Sequence, residues 1–418
     1  MSEKKQYTLG VMDIYPIVAN RTEIENNPFL QIVLKEKVDP DRLKKAVKDA
    51  ILRFPLFGCR IVYEKGYKLE SNEKEIVLIQ ASTEERPLEF GNNTNGYPWQ
   101  LCYDEVSFSL EWCHGITDGR GGYSFFVEII NQYFGVASEV ILEPALELGL
   151  ESFYNPEEKG FSQKKQPAGF KASAVPFFKR GYQTDCHILK ASMKEVLAVA
   201  KKNDASPATI LPPLFSKAIR KFISPSAKNK NVSCNVVIDC RGPMGMETMH
   251  NCIVSKNITY IDRFDTMDFP LVSTIYRTIL DLAVQKENIV VEATNMVKML
   301  KPIVSVKPRI LQRGVAHIVA KVLKHADSNF TFTYLGRVNL DEKVMERIED
   351  FNFRSWTDFG ECNIAALDLN GTLIMNVCEN YKNKSIIPEF IECCKREEIY
   401  VTETSCFSFE QANFRNKI

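Results

Sequence analysis

Apolar and polar positions along the chain switch between two periods, and the switches mark its elements. Val106-Ser107-Phe108-Ser109-Leu110-Glu111-Trp112 alternates strictly, the period of a strand with one buried face. Phe29–Leu34 is an extended run, and after it Leu43, Ala46, Val47, Ala50, Ile51 and Phe54 share one face of a helix. Asp39 is placed to cap that helix, Pro40 takes its first position, and Pro55 stops it. Arg60–Glu64 and Tyr67–Ser71 read as a hairpin turned by Lys65-Gly66. The same order returns later. Cys186–Lys190 reads as a strand and Met193–Lys202 as an amphipathic helix. Ser206 caps a helix carrying Ile210, Leu214, Phe215, Ala218 and Ile219, and Asn235–Asp239 is again a strand. Between about Asn155 and Gln183 the chain is polar and rich in turn signals. The pattern predicts an α/β chain in two parts, 1–160 and 185–418, joined by a connector at 161–184.

The alternating strand runs into Cys113-His114-Gly115-Ile116-Thr117-Asp118-Gly119-Arg120-Gly121-Gly122, and Tyr123–Ile130 then reads as the opening of a buried helix. His114 therefore stands where a strand ends and a glycine-rich turn begins. Glycines there permit unusual dihedrals and close passage of a ligand, and an imidazole so held is suited to proton transfer near neutral pH. A loop histidine hydrogen-bonded for structural reasons is the plain alternative.

His114-x-x-x-Asp118-Gly119 at a strand end resembles the active-site motif of the chloramphenicol-acetyltransferase-like superfamily. That group includes the BAHD plant acyltransferases, alcohol acetyltransferases, wax-ester synthases and nonribosomal peptide condensation domains. The order of strand, helix, Arg53-Phe54-Pro55-Leu56-Phe57 and hairpin is similar to the beginning of those enzymes. The resemblance implies two similar halves, each a mixed sheet flanked by helices, with an active-site tunnel between them. It makes His114 the general base and Asp118 a structural carboxylate. Many members have two histidines in a row; Cys113 stands in place of the first.

In BAHD enzymes a strand ending in arginine supplies the partner of the motif aspartate, and Arg241, after Asn235–Asp239, occupies that place. Without the resemblance Arg241 is an arginine before a Gly-Pro turn. Phe330–Val338 resembles the Ser-Asn-x-Gly strand end of alcohol acetyltransferases, with Thr333 and Tyr334 as candidate substrate contacts or ordinary strand residues. Asp358-Phe359-Gly360 begins like the BAHD Asp-Phe-Gly-Trp-Gly element, but Glu361 and Cys362 break it.

The implied reaction moves an acyl group from a thioester, acyl-coenzyme A as co-substrate, to an alcohol or amine. Gly119, Gly121 and Gly122 would let the pantetheine arm pass. A carrier-protein donor, as in condensation domains, and a non-catalytic binding module of the same body are the alternatives.

Composition narrows the field. The 418 residues are 45% hydrophobic, with 26 Phe and 15 Tyr, enough for sizeable cores. Lys plus Arg equals Asp plus Glu at 53 each, so no net field favours nucleic acid or anionic lipid. Basic patches such as Lys228–Lys230 and Lys307–Arg313 read as solvated loops. No apolar stretch approaches the roughly 20 residues that span a bilayer, and Met1–Gln6 is polar with no apolar run after it. Twelve cysteines without Cys-x-x-Cys spacing point to reduced thiols and a cytoplasmic protein. Five scattered histidines support no metal site and no bound cofactor.

Overall fold

The computed structural model describes residues 5–19, 27–82, 93–136, 149–158, 167–170, 180–324, 328–355, 362–381 and 385–410. Before the connector run β1 (Gln6–Thr8), β2 (Pro28–Leu34), β3 (Cys59–Tyr63), β4 (Tyr67–Ser71), β5 (Leu78–Gln80), β6 (Trp99–Tyr103) and β7 (Ser107–Trp112). With them come α1 (Val11–Ala19), α2 (Pro40–Arg53) and α3 (Gly119–Phe134). Then follow β8 (Arg180–Ser192), β9 (Val232–Asp239), β10 (Ile253–Tyr260), β11 (Phe330–Arg337), β12 (Ile348–Ser355), β13 (Cys362–Leu369), β14 (Thr372–Tyr381) and β15 (Val401–Glu410). Their helices are α4 (Met193–Lys202), α5 (Pro207–Arg220), α6 (Arg241–Met244), α7 (Phe269–Ala283), α8 (Lys286–Val304), α9 (Arg309–Lys324), α10 (Glu342–Met345) and α11 (Ile387–Arg396).

Two lobes result, each a mixed sheet flanked by helices. The first sheet has the order β12-β2-β7-β6-β5, beside a small β1-β4-β3 sheet. The second has the order β10-β9-β11-β13-β14-β8-β15, with β11 parallel to both its neighbours. α2 forms where its stripe demands: Asp39 accepts from the amides of Asp41 and Arg42, and Leu43, Ala46, Val47 and Ala50 are buried. Each lobe has its own core, one around Phe57, Trp99, Phe108 and Phe125, the other around Phe215, Phe330 and Phe390.

Three sequence expectations need correction. Strand β12 lies far past the connector in sequence, yet it pairs antiparallel with β2, Asn352 opposite Gln31. The lobes therefore exchange chain and do not part at residues 161–184. Residues 180–184, assigned to the connector, already belong to β8. Finally, the polar positions of the alternating strand do not face water. Ser107, Ser109 and Glu111 are all buried, because the second sheet covers that face. A polar seam fills the join: Asn352 Nδ2 donates to Gln31 Oε1 at 3.3 Å, Asn376 of β14 to Asn352 Oδ1 at 3.4 Å, and Lys190 of β8 to Asp350 Oδ2 at 2.8 Å. Residues 356–361, which hold the Asp-Phe-Gly echo, lie outside the described residues.

In the second sheet His187 bridges two carboxylates, Nδ1 to Glu403 Oε1 at 2.7 Å and Nε2 to Glu379 Oε1 at 3.1 Å. Its neighbour Cys406 brings three ligand-type atoms within 4.8 Å. Both ring nitrogens are already engaged, however, which is the bonding of an imidazolium. Burial acts to lower its pKa, but hydrogen bonds and charge from Glu379 and Glu403 outweigh it and lift the value to about 9, against 6.5 in the unfolded chain. The folded state thus holds the proton more tightly. The stabilisation is complete below pH 6.5 and is lost as pH rises through about 9. Melting temperatures measured between those limits should fall in the wild type and change less in His187→Gln; parallel curves would remove the ion pair from the pH dependence.

Candidate functional site

β7 delivers its chain into a tight turn. The Cys113 amide donates to Pro98 O at 2.9 Å, Ile116 N to Cys113 O at 3.0 Å, and Trp112 Nε1 to Thr117 O at 3.3 Å. His114 is carried at the tip of this turn. Cys113 is fully buried and burial pushes its thiol up to about 12, so at neutral pH it is an inert packing group.

The turn ends in Asp118, which caps α3: Oδ1 accepts from Arg120 N at 3.1 Å and Gly121 N at 3.0 Å. The same carboxylate, wholly buried, meets Arg241, 123 residues away in sequence. Arg241 Nη2 lies 3.0 Å from Asp118 Oδ1 and 2.9 Å from Oδ2. Arg241 also donates through Nε to Thr248 O, through Nη1 to Asp239 Oδ1 and through Nη2 to His250 O, at 2.8, 2.9 and 2.9 Å. Asp118 Oδ2 takes a further bond from Cys252 N at 2.8 Å. Burial opposes the charge on Arg241, but Asp118 and Asp239 hold its guanidinium firmly protonated.

The helix begins at Gly119 rather than Tyr123, so the glycines lie in its first turn. Only Gly119 lines open space. A Cβ on Gly121 would come 1.8 Å from Thr117 Oγ1, and one on Gly122 2.1 Å from the Trp112 ring. Gly121 lets α3 lie against the turn at Thr117 and Gly122 lets it lie against Trp112 of β7; they make no path for a ligand. Gly122→Ala should cost about 1–3 kcal/mol of stability through overpacking. The better helix propensity of alanine returns only about 1 kcal/mol. A denaturation midpoint equal to wild type would contradict this packing role.

A cavity of about 690 Å³ opens beside the turn, lined from both lobes. His114, Gly119, Thr333 and Tyr334 all line it, with Met12 and Tyr15 of α1 and Asn235 of β9 among the other walls. Asp118 and Arg241 lie beneath it and do not line it. Burial, with Asp368 nearby, pushes the Tyr334 phenol up to about 12, which keeps it a proton donor at neutral pH. His114 Nδ1 is buried without a hydrogen-bond partner among the described residues. Among the described residues, therefore, no carboxylate hydrogen-bonds that nitrogen.

A second clamp escapes a reading of the sequence. Asp13 of α1 is buried; Oδ2 bonds His250 Nδ1 at 2.8 Å, and Oδ1 accepts from Asn251 N and Nδ2 at 3.1 and 2.9 Å. Asn251 Nδ2 also donates to His114 O at 2.8 Å. Burial works to raise the pKa of Asp13, but His250 and Asn251 bring it below the ordinary carboxylate value. Residues 248–252 are thus gripped by Arg241 from one side and Asp13 from the other, and they fix the backbone of His114. The one sequence signal was a lone carboxylate in the apolar run Val11–Ile14. Tyr15 adds a phenol that is buried, unpartnered among the described residues and part of the cavity wall.

No protein-family model and no curated protein sequence matches the chain. Solved structures do. F. graminearum TRI101 complexed with coenzyme A and deoxynivalenol aligns with a TM-score of 0.64 at 10% identity, covering 96% of this chain and 100% of the other. Polyketide synthase associated protein 5 from Mycobacterium tuberculosis aligns at 0.61 and 12% identity, over 94% and 98%. The condensation domain of the Monacolin K polyketide synthase MokA aligns at 0.59 and 12% identity, over 94% and 96%. The chain has the two-lobed fold of the chloramphenicol-acetyltransferase-like proteins, shared by acetyltransferases and condensation domains.

Proposed function

We propose that this protein is an acyltransferase that moves an acyl group from acyl-coenzyme A to a hydroxyl or amine, with His114 as general base. One observation carries the reading: His114 stands in the wall of a cavity shared by both lobes, on a turn braced from beneath by the Asp118–Arg241 pair. The imidazole removes the proton of the acceptor as its oxygen or nitrogen attacks the thioester carbonyl. A tetrahedral oxyanion forms. On its collapse the carbon–sulfur bond breaks, and the imidazolium returns the proton to the departing thiolate. Base and acid are one residue used twice, so no covalent enzyme intermediate is needed.

Gly119 leaves bare backbone at the cavity wall, where the thioester arm can lie close. Thr333 and Tyr334 face the same space and offer hydroxyls to the acceptor or the oxyanion. Coenzyme A as donor is supported by the likeness to TRI101 complexed with coenzyme A and a small molecule. Purified protein mixed with acetyl-coenzyme A and pooled alcohols and amines should release free thiol above the hydrolysis background. Absence of release with short and long acyl-coenzyme A alike would reject this donor.

A further inference from the structure

The charges of the chain sum to zero, but they are unevenly spread. Residues 293–326 carry seven lysines and arginines and no aspartate or glutamate. The described part, 293–324, forms the end of α8, the link after it, and α9, so Arg309–Arg313 is helical and not the solvated loop that its charge suggested. Lys298, Lys301, Lys307 and Arg309 are all exposed. The same stretch exposes large apolar side chains: Met299 at 45%, Ile310 at 85%, Leu311 at 54% and Ile318 at 63%. On α9 the helical period puts Ile310, Gly314 and Ile318 on one stripe with Leu311 beside it. Gln312 and Ala316, on the opposite side, are buried, and Val315 and Val319 pack on the core. α9 therefore has two apolar sides, one used by the fold and one facing solvent. An exposed apolar helix face flanked by cations, with Glu151 beside Lys301 but no carboxylate within the stretch itself, has the composition of a helix that lies in a membrane interface.

Position strengthens the point. α1 packs against both α8 and α9. Met296, Met299 and Leu300 of α8 line the cavity that holds His114. Since Met299 is also exposed, it stands at a mouth of that cavity, next to the basic apolar surface.

We propose that the α8–α9 corner docks on an anionic lipid bilayer. Ile310, Leu311 and Ile318 enter the boundary between headgroups and acyl chains, and the basic residues lie against the headgroups. The Met299 mouth then faces the bilayer, so a lipid-borne substrate can reach the cavity without crossing water. Charge selects this occupant over a second copy of the chain, which would set one basic run against another. The bilayer is favoured over an acidic protein because Ile310, Leu311 and Ile318 line no part of the cavity and are strung along a single helix. Docking does not depend on the role given to His114, and it stands or falls separately.

The test is sedimentation of the full chain with vesicles of phosphatidylcholine alone or mixed with phosphatidylglycerol. Strong binding to the anionic vesicles is expected, with weak binding to the neutral ones and release at high salt. Ile310→Asp with Ile318→Asp should weaken binding by about tenfold or more, through lost apolar burial and added repulsion. Lys298→Glu with Lys307→Glu should also weaken it, because each cation near an anionic surface contributes about fivefold. All four positions are exposed, so melting temperatures should hold; should one pair unfold the protein, the other pair carries the test. Equal binding to both vesicle types, no binding, or wild-type binding by the folded variants would overturn the proposal. Binding to polyglutamate without vesicle binding would replace it with an acidic protein partner, and concentration-dependent dimers without vesicle binding would replace it with a second copy.

Discussion

His114→Ala is expected to reduce acyl transfer by about a hundredfold or more, the usual contribution of a general base, while the protein stays folded. The stability half of this expectation follows from the bonding around the residue. Its ring makes no hydrogen bond through the buried Nδ1 among the described residues, and its carbonyl is held by Asn251 Nδ2, a contact that alanine keeps. The turn is closed by Cys113, Ile116 and Thr117, whose bonds do not involve the imidazole. Removing the ring therefore leaves the Asp118–Arg241 clamp and the Asp13 clamp in place, and stability should change by no more than about 1 kcal/mol. The loss should appear in kcat and in kcat/KM together, because the base acts in the transition state and not in ground-state binding. Thiol release corrected for hydrolysis is the measurement. Activity within a few-fold of wild type would take the proton-transfer role from His114 and leave it a wall residue.

Local elements were legible because local physics specifies them. The stripe of α2, its Asp39 cap and the Pro55 stop are contained in sixteen or so consecutive residues, and α4 follows its periodicity from Met193 to Lys202. What failed was set by distant neighbours. Glu111 belongs to the polar half of an alternating strand, yet it is buried, receiving Gln100 Nε2 at 2.8 Å and Asn27 Nδ2 at 3.2 Å. Alternation reports two unlike faces, and only the fold says whether the polar one meets water or another sheet. Residues 348–355 were placed in the second part by chain order alone for the same reason, since the pairing of β12 with β2 is a choice between partners more than 300 residues apart. The glycines after Asp118 suggested a ligand path; Gly121 and Gly122 instead answer to Thr117 and Trp112. The candidate site divides likewise. His114 stood out by its place between a strand and a glycine-rich turn, and Asp118 and Arg241 through the resemblance, whereas Asp13, His250 and Asn251 carry no spacing that links them.

The pairing of Asp118 with Arg241 leads to the largest expected loss of stability. The carboxylate is wholly buried and the guanidinium nearly so, and removing one partner from a buried pair costs about 3–5 kcal/mol, because a charge is left uncompensated. The two single losses should differ. In Asp118→Asn, Arg241 keeps Asp239, at 2.9 Å from Nη1, and the new amide oxygen can still accept from Arg120 N and Gly121 N to cap α3. In Arg241→Ala, Asp118 keeps only backbone amides, and the carbonyls of Thr248 and His250 lose their donor as well. Arg241→Ala should therefore be the more damaging change. Both should lower activity too, since the clamp fixes the turn that carries His114. Arg241→Lys should recover little, as one ammonium cannot reproduce the planar fork that reaches Asp118, Asp239 and two carbonyls together. The double variant should lose less than the sum of the single losses, by about 1–3 kcal/mol, as expected of groups in direct contact. Chemical denaturation of the four proteins measures the cycle. Additive losses would mean that the two side chains are stabilised by separate surroundings, and the brace beneath His114 would then rest on Asp13 and Asn251 alone.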